Sequence, residues 1–218
     1  MKRATILTAA LLALAHPAHS AQIIIDSFSY TGSTTDSSTF DDLSIFGGEM
    51  DVNKFIGSGD NLSSYDAAIN GSSFSLSNPS TTVTGGSMGL VYDGNDDSAT
   101  SQAFGLGMDL TGTNALSIDV LSITGSMEIA FTLGPQSPGL SSSASFTVDS
   151  AGTYSVAYSS LSNQPNFDPT AIGSIYLAIN GVNAGEAISL DNFQAIPEPS
   201  TALLSTIAIG LATLRRRR

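Results

Sequence analysis

Apolar side chains return at every second position along much of this chain. Leu116, Ile118 and Val120 form one row, and Met127, Ile129, Phe131 and Leu133 form the next. Ala144, Phe146 and Val148 repeat the pattern, as do Tyr154, Val156 and Tyr158. A strand sends successive side chains to opposite faces, so each row reads as the buried face of a half-exposed strand. Further strands are predicted near residues 22–30, 43–46, 50–56, 67–77, 87–92, 103–110, 174–179 and 187–194. Turn signals separate them: Gly47-Gly48, Asn70-Gly71, Asn78-Pro79, Gly85-Gly86, Gly134-Pro135 and Asn180-Gly181. Residues 31–42 and 159–170 read as longer loops. No helical period is sustained before residue 200. Many short strands without intervening helices predict an all-β fold, an antiparallel β-sandwich of jelly-roll type.

The two ends of the chain read differently. Lys2 and Arg3, then the apolar stretch from Ala4 to Ala15, then Ala18-His19-Ser20 have the layout of a secretory leader. Cleavage after Ser20 would start the mature chain at Ala21. The predicted partners at this step are the Sec translocon and signal peptidase. Residues 21–196 form one domain, long enough to bury a sizeable core.

Composition then excludes whole classes of chemistry. The chain has no cysteine and no tryptophan, and both histidines, His16 and His19, lie in the leader. From residue 21 to 196 Lys54 is the one basic residue, while all 19 acidic residues of the chain except Glu198 fall there, a net charge of −17. Such a domain repels nucleic acid and anionic membrane surfaces. It lacks the residues for a Ser-His-Asp triad, a cysteine nucleophile, a His/Cys zinc site or an arginine clamp on phosphate. Carboxylates, hydroxyls and amides remain, and these suit calcium or the paired carboxylates of a glycosidase.

The last 22 residues carry a third pattern. Pro197-Glu198-Pro199-Ser200 precedes an uncharged run from Thr201 to Leu214, and Arg215, Arg216, Arg217 and Arg218 close the chain. As a helix the run would span roughly 21 Å, short of the roughly 30 Å of a bilayer core. Ser200 and Thr201 can cap its start, and the arginines can snorkel to headgroups and hold that end in the cytoplasm. The order of parts resembles the PEP-CTERM sorting signal of Gram-negative bacteria. The resemblance implies processing near Pro197, Glu198, Pro199 and Ser200 by an exosortase, an integral-membrane enzyme. It implies a route across the inner membrane, a transient anchor, and a final place at the cell surface or in extracellular polysaccharide.

The ends of the β domain also resemble secreted jelly rolls of the carbohydrate-binding type. Ile23-Ile24-Ile25-Asp26-Ser27-Phe28 is similar to their first strand, and Ala187-Ile188-Ser189-Leu190-Asp191-Asn192-Phe193 to their last. In some of those modules a carboxylate from each terminal strand holds a structural calcium, which implies Asp26 and Asp191 here. A second candidate calcium site is Asp93-Gly94-Asn95-Asp96-Asp97. Asp93, Asn95 and Asp97 take the 1, 3, 5 spacing of a calcium loop, but Ser98 and Phe104 stand where an EF-hand needs Gly and Glu. A solvated turn explains the same residues. Asp41 and Asp42, with Glu49 and Asp51, make a further candidate cation site or glycosidase pair. Tyr30, Tyr65 and Tyr92, near strand ends, are candidates for sugar stacking, although a core or rim position also accounts for them. The sequence therefore predicts an exported, non-enzymatic surface or matrix protein. The alternative is a calcium-dependent carbohydrate-binding module, and a secreted hydrolase is the remote third.

Overall fold

The computed structural model describes residues 22–34, 38–41, 45–46, 49–55, 65–82, 84–94, 105–136, 139–163 and 167–197. The leader and residues 198–218, with the expected terminal helix and arginines, lie outside the described residues, as do Asp42, Asn95 and Asp97. Among the described residues no helix is long and apolar enough to cross a membrane.

Thirteen strands run in chain order: β1 (Ile23–Asp26), β2 (Thr31–Thr34), β3 (Ser38–Asp41), β4 (Glu49–Phe55), β5 (Asp66–Asn70), β6 (Phe74–Ser77), β7 (Gly86–Tyr92), β8 (Thr113–Thr124), β9 (Met127–Pro135), β10 (Ser142–Val148), β11 (Gly152–Ala157), β12 (Ile172–Val182) and β13 (Ala187–Pro197). They form two antiparallel sheets, the sandwich that the alternation predicts. One sheet has the order β11-β8-β13-β6-β5-β2, with β1 also on β13, and the other has β10-β9-β12-β7-β4-β3. Strand β13 organises the first sheet. It pairs with β8 from Ala187 to Pro197, with β6 through Ala187–Leu190, and with β1 through Phe193–Ala195. Strands β6 and β1 thus lie end to end along one edge of β13.

The predicted rows become the core. Leu116, Ile118 and Val120 of β8 face Ile129, Phe131 and Leu133 of β9 across the sandwich, each at most 2% exposed. Aromatic rings bridge the sheets in sequence: Tyr92 of β7 meets Phe193 of β13, Phe193 stacks on Phe131 at 5.4 Å, and Phe131 meets Phe146. Phe146 in turn stacks on Tyr154 of β11 at 5.5 Å.

Three sequence expectations change. Residues 31–42 contain two short strands, β2 and β3, at opposite sheets' edges. An edge strand with one partner needs little apolar alternation, which hid both. Residues 105–110 alternate Leu106, Met108 and Leu110 inward yet form only one isolated bridge, Met108 to Ile172. Gly105 and Gly107, the latter at φ +63°, interrupt the extended backbone there. Residues 45–46 form no strand either. Finally, β13 carries a bulge at Asn192, φ +49°, whose side chain donates to Asp119 at 2.8 Å.

Candidate functional site

Strand β12 is central in the six-stranded sheet. Its odd positions Ile175, Leu177 and Ile179 are wholly buried in the sandwich. Its even positions Ser174, Tyr176, Ala178 and Asn180 therefore face away from the core. The neighbours continue that outward face with Ser87, Gly89 and Val91 of β7 and Glu128, Ala130, Thr132 and Gly134 of β9. Its relief is low. Gly89, Ala178 and Ala130 pair side by side, giving a floor of very small residues across three strands.

Tyr176 lies over that floor. A Cβ at Gly89 would stand 2.1–2.3 Å from the tyrosine's Cε2, Cζ and Oη, so the ring occupies the space that only glycine leaves. Ser174 leans the opposite way, over Gly134 of β9. On the other side of the floor Asn180 Nδ2 donates to Glu128 Oε1 at 3.3 Å, and Ser145 Oγ donates to Glu128 Oε2 at 3.1 Å. A half-buried aromatic ring thus lies beside a strip with amide, hydroxyl and carboxylate groups opposite. Partial burial pushes the Tyr176 hydroxyl up to about 12.

At the β4 side the same sheet gathers three buried carboxylates. Asp51 pairs with Val91, and continuing that register sets Glu49 across from Asp93. Glu49, Asp51 and Asp93 are 1%, 0% and 1% exposed, and an oxygen of each lies within 4.8 Å of the others. One ion with ligands at about 2.3–2.6 Å would span that separation, so the three fit a single calcium-sized cation. Burying several like charges is costly without a compensating positive charge, and Lys54 is the one basic residue between 21 and 196. The backbone supports the arrangement: Gly105 N–H donates to Asp93 O at 2.9 Å, and Gly94 adopts φ +94° beside it, closing the base of the acidic loop.

The structure sorts the sequence candidates differently from their order in the chain. Asp93 joins Glu49 and Asp51. The other two residues of that candidate calcium loop, Asn95 and Asp97, lie outside the described residues. Asp26 points into the sandwich, where its Oδ1 accepts the Phe28 N–H at 2.7 Å and its Oδ2 accepts the hydroxyls of Tyr30 and Tyr92 at 3.0 and 3.1 Å. Asp191 sits on the outward side of β13 and accepts the Asn192 N–H at 2.7 Å. The structure does not bring Asp26 and Asp191 into one site. Tyr65 and Tyr92 are not exposed rings: they are 3% and 0% exposed, and Tyr30 is partly buried against Asp26. Burial, reinforced by the Asp26 charge, holds the Tyr92 hydroxyl well above its usual range. Pro197, the first residue of the expected processing motif, ends β13 opposite Thr113. Sequence reasoning passed over Tyr176. Its signal was parity, since it sits between Ile175 and Leu177 on the face that the apolar row avoids.

No family profile and no curated protein matches the sequence. Several solved structures are similar in fold. One is a family 11 carbohydrate-binding module from Clostridium thermocellum, solved with a β-1,3-1,4-mixed-linked tetrasaccharide. It is 21% identical, with 82% of this chain and 98% of that chain covered and a TM-score of 0.45. The family 11 module of a cellulosomal cellulase of the same organism is 18% identical over 81% and 95% of the two chains, at 0.43. An agarase is 13% identical at 0.47, with 83% of this chain covering 25% of the enzyme.

Proposed function

We propose that this domain is an exported, non-catalytic glycan-binding module that binds through the outward face of its six-stranded sheet. The observation that carries the reading is Tyr176 lying over Gly89 in the Gly89–Ala178–Ala130 row of small residues. A sugar ring presents an apolar face to an aromatic ring and hydroxyls to groups at its edge, and this strip offers both. The residues argue for binding rather than hydrolysis: the clustered carboxylates are buried, whereas a glycosidase pair has to flank its substrate.

In this proposal one calcium ion is held by Glu49, Asp51 and Asp93. When bound it supplies positive charge to a buried anionic cluster; the residues themselves fix β4 against β7 at the margin of the face. Export follows the expected route, with leader removal after Ser20 and exosortase handling of residues 197–218. That route delivers the module to the cell surface or to extracellular polysaccharide.

The test is affinity electrophoresis of the domain through gels containing neutral soluble polysaccharides. The proposal expects retardation by at least one, and loss of it in Tyr176→Ala that is folded at the temperature of the gel. Equal retardation of wild type and Tyr176→Ala would remove this face from the account.

A further inference from the structure

Two segments leave the sandwich, and both leave it at the same end. Strand β1 enters opposite the finish of β13: Ile23 pairs with Ala195, and the Gln22 amide donates to the Gln194 side chain. The expected leader junction, Ser20–Ala21, is one residue before Gln22, within about 8 Å of chain. Pro197 ends β13 two residues past Ala195, about 7 Å further along the strand. Antiparallel pairing of the first and last strands makes this unavoidable, because the start of one lies beside the end of the other. Only Glu198, Pro199 and Ser200 separate the paired strand from the apolar run. At full extension they reach roughly 11 Å.

We infer that this end of the sandwich, where β1 begins and β13 finishes, is the lipid-facing end and stays against the bilayer headgroups while the tail is attached. The inference rests on the sorting reading of residues 197–218. The far end lies about 33 Å away, ten residues back along β13 at Ala187. An 11 Å tether cannot let a body of that length turn over. The contact is made despite the net charge of −17, because the tether, not attraction, sets the distance. The near end also offers Ile24, 51% exposed on β1, as an apolar contact. Processing is constrained in turn. A cut before Pro197 would remove the last residue of a strand paired to β8.

The chain has no cysteine, so single labels can be placed cleanly. Ser159, exposed in the turn after β11, marks the near end: Ala157 and Ile196 flank Ala115 at the same level. Ser126, exposed between β8 and β9, marks the far end. Residues 21–218 carrying Ser159→Cys or Ser126→Cys, each with a fluorophore, are reconstituted in liposomes containing a headgroup-nitroxide lipid. The expected result is quenching several-fold stronger at position 159, with the contrast falling when ten Gly/Ser residues follow Pro197, since such a linker adds roughly 17 Å of reach. Equal quenching at both positions in protein that floats with the liposomes would overturn the inference alone. Protein that does not float would overturn the sorting reading, and the inference with it.

Discussion

The two faces of the six-stranded sheet are built from the same strands and follow opposite rules. On β12, Ile175, Leu177 and Ile179 are sealed in the core, and one residue away Ser174, Tyr176 and Asn180 meet solvent. The inward face is filled with branched and aromatic side chains that interlock with the other sheet. The outward face has glycine and alanine in its middle, with the Tyr176 ring laid over Gly89. Stability should therefore reside in one parity of the strand and ligand binding in the other.

The strongest way to break that comparison is to exchange the consequences. Leu177→Ala should cost about 2–5 kcal/mol in denaturant unfolding, the usual range for a fully buried leucine. Glycan retardation by the fraction that remains folded should be preserved. Next in size is the carboxylate cluster. Calcium at a hundred times its dissociation constant should add about 2.7 kcal/mol to unfolding, and Asp51→Asn should abolish that gain. A melting temperature unmoved by calcium or by chelator would remove the ion from the account.

Tyr176→Ala probes the outward face itself. It should weaken glycan binding by about tenfold or more, roughly 1.4 kcal/mol, while shifting stability far less than Leu177→Ala. Gly89→Ala sharpens the point, because the added methyl meets the tyrosine ring and not the sugar. It should lift the ring and reduce affinity several-fold, measured by titration calorimetry.

The smallest effect concerns alkali. Tyr158 and Tyr176 titrate near 12 in the folded chain, each raised by burial, against 10.0 when unfolded. The folded state favours their neutral forms, so the stability they contribute is complete below pH 10 and is lost as pH rises towards 12. Absorbance titration should show these two hydroxyls ionising late. A bound glycan covering Tyr176 should delay that residue further and leave Tyr158 unchanged.

Much of the sandwich was legible because long central strands alternate strictly. What escaped was β2 and β3, edge strands with one partner each; residues 105–110 alternate, but glycine breaks them and they form one isolated bridge in place of a strand. The candidate site was less legible. Glu49 and Asp51 stand two apart on β4, but Asp93 reaches them only through the β4–β7 register, which no local spacing encodes. Asp26 and Asp191 were matched by their places in the first and last strands. Strand direction and the Asn192 bulge then send one inward and the other outward. Tyr176 was written in the sequence as a parity exception within an apolar row, and only the neighbouring glycine on β7 shows what it is for.

The central claim is that the outward face of the six-stranded sheet binds glycan through Tyr176. Its most direct test is the migration of wild type and Tyr176→Ala through the same series of neutral polysaccharide gels, with melting temperatures measured in parallel. The account predicts that wild type is retarded in at least one gel and that Tyr176→Ala, folded at the temperature of the gel, runs as it does without polysaccharide. Retardation of both proteins alike, or of neither, would contradict it.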